Sequence, residues 1–195
     1  MKIVAISGSL RTASSNLALL RAAAGEVPGG MELTIFDGVG GLPLFNPDLD
    51  DDDLPPPAPV ARFRALLEGA DGVLIASPEY AHGVPGALKN ALDWVVSTSG
   101  VVDKPVALIN AAPGGGEQVQ AALARTLSIM AARVLLEDSL RLPGARQMVD
   151  PDGGISNPRV RRQLRALLDA LAEAVRAGQA QQPEPPAAYG LNDTA

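Results

Sequence analysis

Apolar and polar positions along this chain switch between two periods. Short apolar runs of strand length recur at Lys2–Ser7, Glu32–Phe36, Gly72–Ser77, Pro105–Asn110 and Arg133–Glu137. Between them lie stretches of helical period, at about 16–25, 60–68, 86–97, 117–132 and 158–178. The run Gly-Val-Leu-Ile-Ala-Ser at 72–77 does not alternate, which fits a central parallel strand covered on both faces. In the third helical stretch Leu88, Ala91, Leu92 and Val95 fall at i, i+3, i+4 and i+7, and Pro85 suits a first turn. Asn157-Pro158 is a helix start signal, followed by the stripe Val160, Leu164, Leu167, Leu168, Leu171 and Val175. Gly69 and Gly178 suit helix ends.

Strict β-α alternation at this spacing predicts a parallel sheet with right-handed crossovers and helices on both faces. Five strands predict the doubly wound order 2-1-3-4-5 in one domain over residues 1–178. Ligands of such sheets sit beyond the carboxyl ends of the strands, at the point where the order reverses. The loops 8–15, 78–85 and 111–116 should therefore make the site. Residues 37–59 are irregular, and the run Asp50–Asp53 with its flanking prolines reads as solvated charge. Residues 179–195, rich in Gln, Pro and Ala, read as a C-terminal tail, mobile or laid across a partner subunit.

Composition narrows the chemistry. Of 195 residues 47% are hydrophobic and 19% charged, enough apolar material for a sizeable core. Sixteen Lys and Arg against 22 Asp and Glu give a net charge of −6, which argues against nucleic acid or an anionic membrane as the main partner. The chain has no cysteine, so disulfides, thiolate nucleophiles and cysteine-held metals are excluded. Its one histidine, His82, rules out a histidine-rich metal site within one chain. No apolar run reaches about 18 residues, so no membrane span is expected. The apolar N-terminal stretch is too short for a signal core, and the expected location is the cytoplasm. There is no G-x-S-x-G elbow, which disfavours a Ser–His–Asp hydrolase.

The first loop reads Gly8-Ser9-Leu10-Arg11-Thr12-Ala13-Ser14-Ser15-Asn16 and joins a strand to a helix N-terminus. Free N–H groups, the helix dipole, serine hydroxyls and the Arg11 fork would suit a phosphate. The plainer reading is a polar loop in which Ser14, Ser15 or Asn16 caps the helix. Neither G-x-G-x-x-G nor a P-loop is present. The second loop carries Pro78-Glu79-Tyr80-Ala81-His82-Gly83-Val84-Pro85-Gly86 and runs on into Leu88-Lys89-Asn90-Ala91-Leu92-Asp93-Trp94. Its prolines and glycines fix an exposed backbone that can offer N–H and C=O groups to a flat heterocycle.

That second stretch closely resembles the NADPH-dependent FMN reductase family, which includes bacterial quinone and chromate reductases and has a flavodoxin-like fold. The first loop resembles the same family's Gly-Ser-x-Arg-x-x-Ser-x-Asn pattern, and Leu42-Pro43-Leu44-Phe45-Asn46 its segment after the second strand. The resemblance runs from about residue 2 to 140. It implies a flavodoxin-like three-layer sandwich with a five-stranded parallel sheet. It implies that Ser9, Arg11, Ser14, Ser15 and Asn16 bind the FMN phosphate. It also implies that Pro78, Glu79, Tyr80, His82 and Gly83 border the isoalloxazine, Glu79 and Tyr80 mostly through backbone and shape. Gly114 and Gly115 fall where the family has a further Gly-rich flavin loop, with a plain turn as the alternative. Family members often have Asn where this chain has Ala81.

The expected function is an FMN-dependent oxidoreductase that accepts a hydride from NADPH or NADH. It would pass electrons by ping-pong chemistry to a small-molecule acceptor: a quinone, an azo or nitro aromatic, or a metal oxyanion. The alternative is a flavodoxin-like electron carrier, or a flavin sensor, without NAD(P)H turnover. The resemblance also implies a homodimer or homotetramer, with Leu44, Phe45 and Trp94 placed either at its interface or in the core. Arg159, Arg161, Arg162 and Arg165 form a basic patch that could meet a 2′-phosphate, stay solvated or face a partner subunit.

Overall fold

In the computed structural model, which describes residues 1–51 and 54–181, parallel strands run in the order β2-β1-β3-β4-β5. They are β1 (Lys2–Ser7), β2 (Glu32–Phe36), β3 (Gly72–Ala76), β4 (Pro105–Asn110) and β5 (Arg133–Val134). The helices are α1 (Ser15–Ala24), α2 (Ala58–Glu68), α3 (Gly86–Asp93), α4 (Glu117–Ile129) and α5 (Pro158–Gln181). This is the doubly wound order that the alternation predicts, and the flavodoxin-like sandwich that the resemblance implies.

The period of two along each strand divides the core. Ile3 and Ala5 of β1, with Leu74 and Ala107, face the layer of α1 and α5, where Leu19, Leu164, Leu168 and Leu171 are buried. Val4 and Ile6, with Val73, Ile75 and Leu108, face α2, α3 and α4, where Phe63, Leu88, Trp94 and Leu123 are buried. Both faces of β3 and β4 are covered, which is why those runs show no polar alternation.

The edge beyond β4 differs from expectation. The predicted strand 133–137 stops at Val134, and a short β6 (Leu140–Arg141) resumes pairing with β4 farther along. Between them the Ser139 hydroxyl accepts from the Leu108 N–H at 2.9 Å and donates to the Leu135 carbonyl at 2.7 Å. A side chain thus satisfies the β4 backbone where the strand is interrupted.

Helix ends also move. α3 stops at Asp93, short of Ser97, because the Arg64 guanidinium takes the Trp94 carbonyl at 2.7 Å and Thr98 donates instead to Val95. Pro85 lies just ahead of α3, at its N-cap. α4 ends at Ile129, before Ala131 at φ 59°. α5 continues past Gly178 to Gln181. A Cβ at residue 178 would lie 2.3 Å from the Arg133 guanidinium, so this glycine serves a close approach rather than a helix end. The rest of the expected tail, 182–195, lies outside the described residues.

Candidate functional site

Three apolar runs end in small polar residues, and these mark the end of the sheet where the loops meet. Ser7, Ser77 and Asn110 close the runs of β1, β3 and β4 and are all buried. Asn110 Nδ2 donates to the Ser77 carbonyl at 2.6 Å, and its Oδ1 accepts from the Ala112 N–H at 2.7 Å. This amide ties the third loop (111–116) to the end of β3.

The first loop, 8–14, turns from β1 into α1. Ser14 is the N-cap, its Oγ accepting from the Leu17 N–H at 3.2 Å. Ser9 Oγ accepts from the Arg11 N–H at 3.3 Å. Asn16 is buried, and its Oδ1 accepts from the Ala111 N–H at 3.1 Å, joining α1 to the third loop. Ser15 opens the helix. The backbone N–H groups of Thr12, Ala13, Ser15 and Asn16 find no acceptor among the described residues. The Arg11 guanidinium is likewise without a partner there. An exposed arginine beside open amides at a helix N-terminus is a ready site for an anion with several oxygens.

The second loop is a tight hairpin. The Tyr80 and Gly83 backbones exchange hydrogen bonds at 3.3 and 2.9 Å. The two residues between them, Ala81 (φ 50°) and His82 (φ 59°), are both left-handed, as a two-residue hairpin of the I′ type requires. Their N–H groups point to no acceptor among the described residues. The Tyr80 ring is exposed and the His82 side chain more so. The Glu79 side chain makes two contacts within the protein. Its carboxylate is well covered, Oε2 accepting from the Val119 N–H of α4 at 3.0 Å and Oε1 standing 3.3 Å from His82 Nδ1. The Glu79 side chain thus links the hairpin to the start of α4.

In the third loop Gly114 and Gly115 border open space, with Gly115 at φ 88°. Gly116, the last glycine of that loop, is the constrained one. Its φ is 68°, and a Cβ there would lie 2.0 Å from the Asn110 side chain.

A fourth segment flanks these loops. The connection 37–57 leaves β2 and is pinned to α3 by side chains of the Leu-Lys-Asn-Ala-Leu-Asp-Trp stretch. Asn90 accepts from the Phe45 N–H at 2.8 Å and donates to the Pro43 carbonyl at 2.9 Å, and Trp94 Nε1 donates to that carbonyl at 2.8 Å. Leu44, between the two pinned groups, is 83% exposed. Trp94 is fully buried and meets the Phe45 ring edge-on at 5.0 Å, so of the two readings of Trp94 the core one holds. Asp50 is no solvated charge: it pairs with Arg64 at 2.6 Å and accepts from Ser97 at 2.7 Å. Burial pushes its carboxyl up, but the Ser97 hydroxyl and the Arg64 guanidinium outweigh that and hold it below its ordinary value. Asp52 and Asp53 lie outside the described residues. The basic patch faces elsewhere: Arg161 and Arg165 pair with Glu26, beyond the far end of α1.

Comparison with known proteins agrees with this architecture. The profile of the NADPH-dependent FMN reductase family matches residues 1–147. An NAD(P)H-dependent FMN reductase of Pseudomonas aeruginosa is 35% identical over 180 residues, covering 90% of this chain and 96% of that protein. A 2-hydroxy-1,4-benzoquinone reductase of a Burkholderia species is 32% identical over 181 residues, covering 90% and 97%. Among solved structures, the flavoenzyme NAD(P)H:(acceptor) oxidoreductase of Paracoccus denitrificans superposes with a TM-score of 0.81 at 27% identity, covering 91% of this chain and 98% of that one.

Proposed function

The chain belongs to the NADPH-dependent FMN reductase family, a family of flavin oxidoreductases that use NAD(P)H, and on that premise we propose that it reduces a quinone-type acceptor. One observation carries the assignment of the phosphate end: the unpartnered Arg11 guanidinium beside the open N–H groups of Thr12, Ala13, Ser15 and Asn16. The residues present fit an FMN phosphate, since a dianion would supply acceptors to donors that otherwise have none.

Within this reading Arg11 and the start of α1 hold the phosphate, with Ser9 and Ser15 adding hydroxyls. Ser14 and Asn16 act behind them: one caps α1, the other fixes α1 against the third loop. Residues Pro78–Gly83, with Gly114 and Gly115, border the ring. The free N–H groups of Ala81 and His82 give fixed donors toward negative charge on the ring system. When bound there, FMN would supply the redox chemistry, with hydride acceptance from NADPH or NADH and two-electron, two-proton reduction of the acceptor, the second proton coming from solvent. No nucleophile or acid–base pair of the chain is required.

Exposed Leu10, Leu44 and Tyr80 leave apolar surface on the segments at this end of the sheet. That favours a flat aromatic acceptor, a quinone or an azo or nitro aromatic, over a metal oxyanion. The name of the Burkholderia relative supports the quinone. A homodimer or homotetramer belongs to the same proposal, with exposed Ile129 and Val96 as apolar surface for it to cover. Sedimentation velocity checks that part.

The test is an anaerobic visible spectrum of the FMN-loaded protein before and after NADPH. Fast bleaching of the flavin bands, and recovery on adding a benzoquinone, is the expected result. Bound flavin that stays oxidised would replace the reductase with an electron carrier or sensor. Failure to bind FMN would remove the phosphate assignment.

A further inference from the structure

We propose that Glu79 is a positioning residue whose carboxylate sets the separation between the hairpin loop 78–83 and the glycine loop 111–116. This rests on the reading that both loops border the flavin.

The argument begins at Gly116. Its φ of 68° and the Asn110 side chain 2.0 Å from its would-be Cβ exclude any other residue. Gly116 is also the N-cap of α4, the position whose side chain normally accepts from the N2 or N3 N–H. A glycine cannot do so. The N3 residue of α4 is Val119, and its N–H has no acceptor within the helix. Glu79 fills that role from a distance of forty positions in sequence, at 3.0 Å. The cap that the local sequence cannot supply is imported from the hairpin loop.

The contact has two further properties. It is made by a charge at a helix N-terminus, where the dipole favours an anion. The other carboxylate oxygen faces the His82 ring at 3.3 Å, at the tip of the same hairpin. One side chain therefore touches the start of α4 and the turn whose free N–H groups face outward. Together with Asn110 to Ser77 and Asn16 to Ala111, it closes a set of links among the three loops. Glu79 is the link that reaches the hairpin loop itself.

The test separates reach from charge. Glu79→Gln keeps the reach and the acceptor oxygen but loses the charge. Glu79→Asp keeps the charge but is one methylene short of Val119. Two readouts are taken: hydrogen exchange of the Val119 amide in flavin-free protein, and the FMN dissociation constant. Positioning predicts that Glu79→Asp exposes the Val119 amide to fast exchange and weakens FMN by about tenfold. Glu79→Gln should keep the amide protected and stay within about twofold of the parent. Equal FMN affinity in all three proteins, with only the amide changed, would reduce Glu79 to a helix cap and overturn the proposal. So would a Gln variant as weak as the Asp variant, since the flavin would then be sensing charge. If the parent binds no FMN, the functional reading fails instead. The contrast between the two amide exchange rates would still be measurable.

Discussion

The two ends of the sheet both carry charged groups, and they differ in how their polar groups are used. At the amino ends of the strands a cavity of about 450 Å³ is lined by Asp71, Asp103, Lys104, Arg133 and Gln179. There the cations already have acceptors. Lys104 donates to the Leu67 and Glu68 carbonyls at the end of α2, and Arg133 to the Asp103 and Ala174 carbonyls. Asp71 accepts from the Lys2 N–H and from Gln179. Burial pushes the Lys104 ammonium below the usual lysine range, and Glu68 and Asp71 only partly offset this. At the carboxyl ends, Arg11 and a row of backbone N–H groups have no partner among the described residues. A large opening whose charges are satisfied is part of the scaffold. A set of fixed donors without acceptors is what a ligand can use.

The strongest challenge to this contrast is a pair of arginine variants. Arg11→Ala should weaken FMN by about 1.5–3 kcal/mol, roughly ten- to a hundredfold, through loss of charge-assisted bonds to phosphate. Its thermal midpoint without flavin should hardly move. Arg133→Met should do the reverse, lowering the flavin-free midpoint and leaving FMN affinity as it was. Isothermal titration and thermal melts read both. An Arg133 variant that loses flavin, or an Arg11 variant that merely unfolds sooner, would break the contrast.

A partnered charge near the site end sharpens it. Asp50 lies in the connection that flanks the site, yet it is held by Arg64 and Ser97. It should therefore behave as the charges of the opposite end do, supporting stability rather than ligand binding. Asp50→Asn should cost about 1 kcal/mol near neutral pH with FMN affinity unchanged. The folded carboxyl sits below its ordinary value of 3.8. Its contribution is thus complete above that value and is lost as pH falls through the folded one. Urea titrations of parent and variant should differ at pH 6–7 and converge in acid below about 3.8. A gap that persists unchanged into acid would mean that the charge is not what stabilises this corner.

Much of this was legible in the chain because it is local. The apolar runs of β1 to β4, the order of the sheet and the three loops at the carboxyl ends of its strands all follow from periodicity and from where it stops. The edge at β5 was not legible, since a serine hydroxyl that replaces a strand bond leaves no periodic trace. The links that hold the loops together were hidden for a related reason. Glu79 to Val119, Asn90 to Pro43 and Asn16 to Ala111 join residues far apart in sequence, and each reads locally as one more polar residue. A signal did exist for a further link, from Asn110 to Ser77. Asn110, like Ser7 and Ser77, ends an apolar run with a polar side chain in a position that the fold buries. Such an ending marks a strand whose last residue serves the loops.

The smallest expected effect concerns backbone strain at the site end. Single left-handed residues occur at Asp103 and Ala131, near the amino ends, but the hairpin at 80–83 places two in a row, Ala81 and His82. Alanine has no side chain to offset that conformation, whereas asparagine adopts it with less strain. This offers a backbone reason for the asparagine that the sequence resemblance implies at this position, in place of a ligand-binding one. Ala81→Asn should then raise stability by about 0.5–1 kcal/mol and leave FMN affinity within about twofold. The matching control is Ala131→Asn, where one left-handed residue follows a helix end and a similar gain is expected with no connection to flavin. Melts of both variants, with and without FMN, decide the question. If Ala81→Asn tightens FMN without raising the flavin-free midpoint, the amide acts on the ligand. The site end would then lack a donor that asparagine supplies, and would not be the more strained of two otherwise comparable ends.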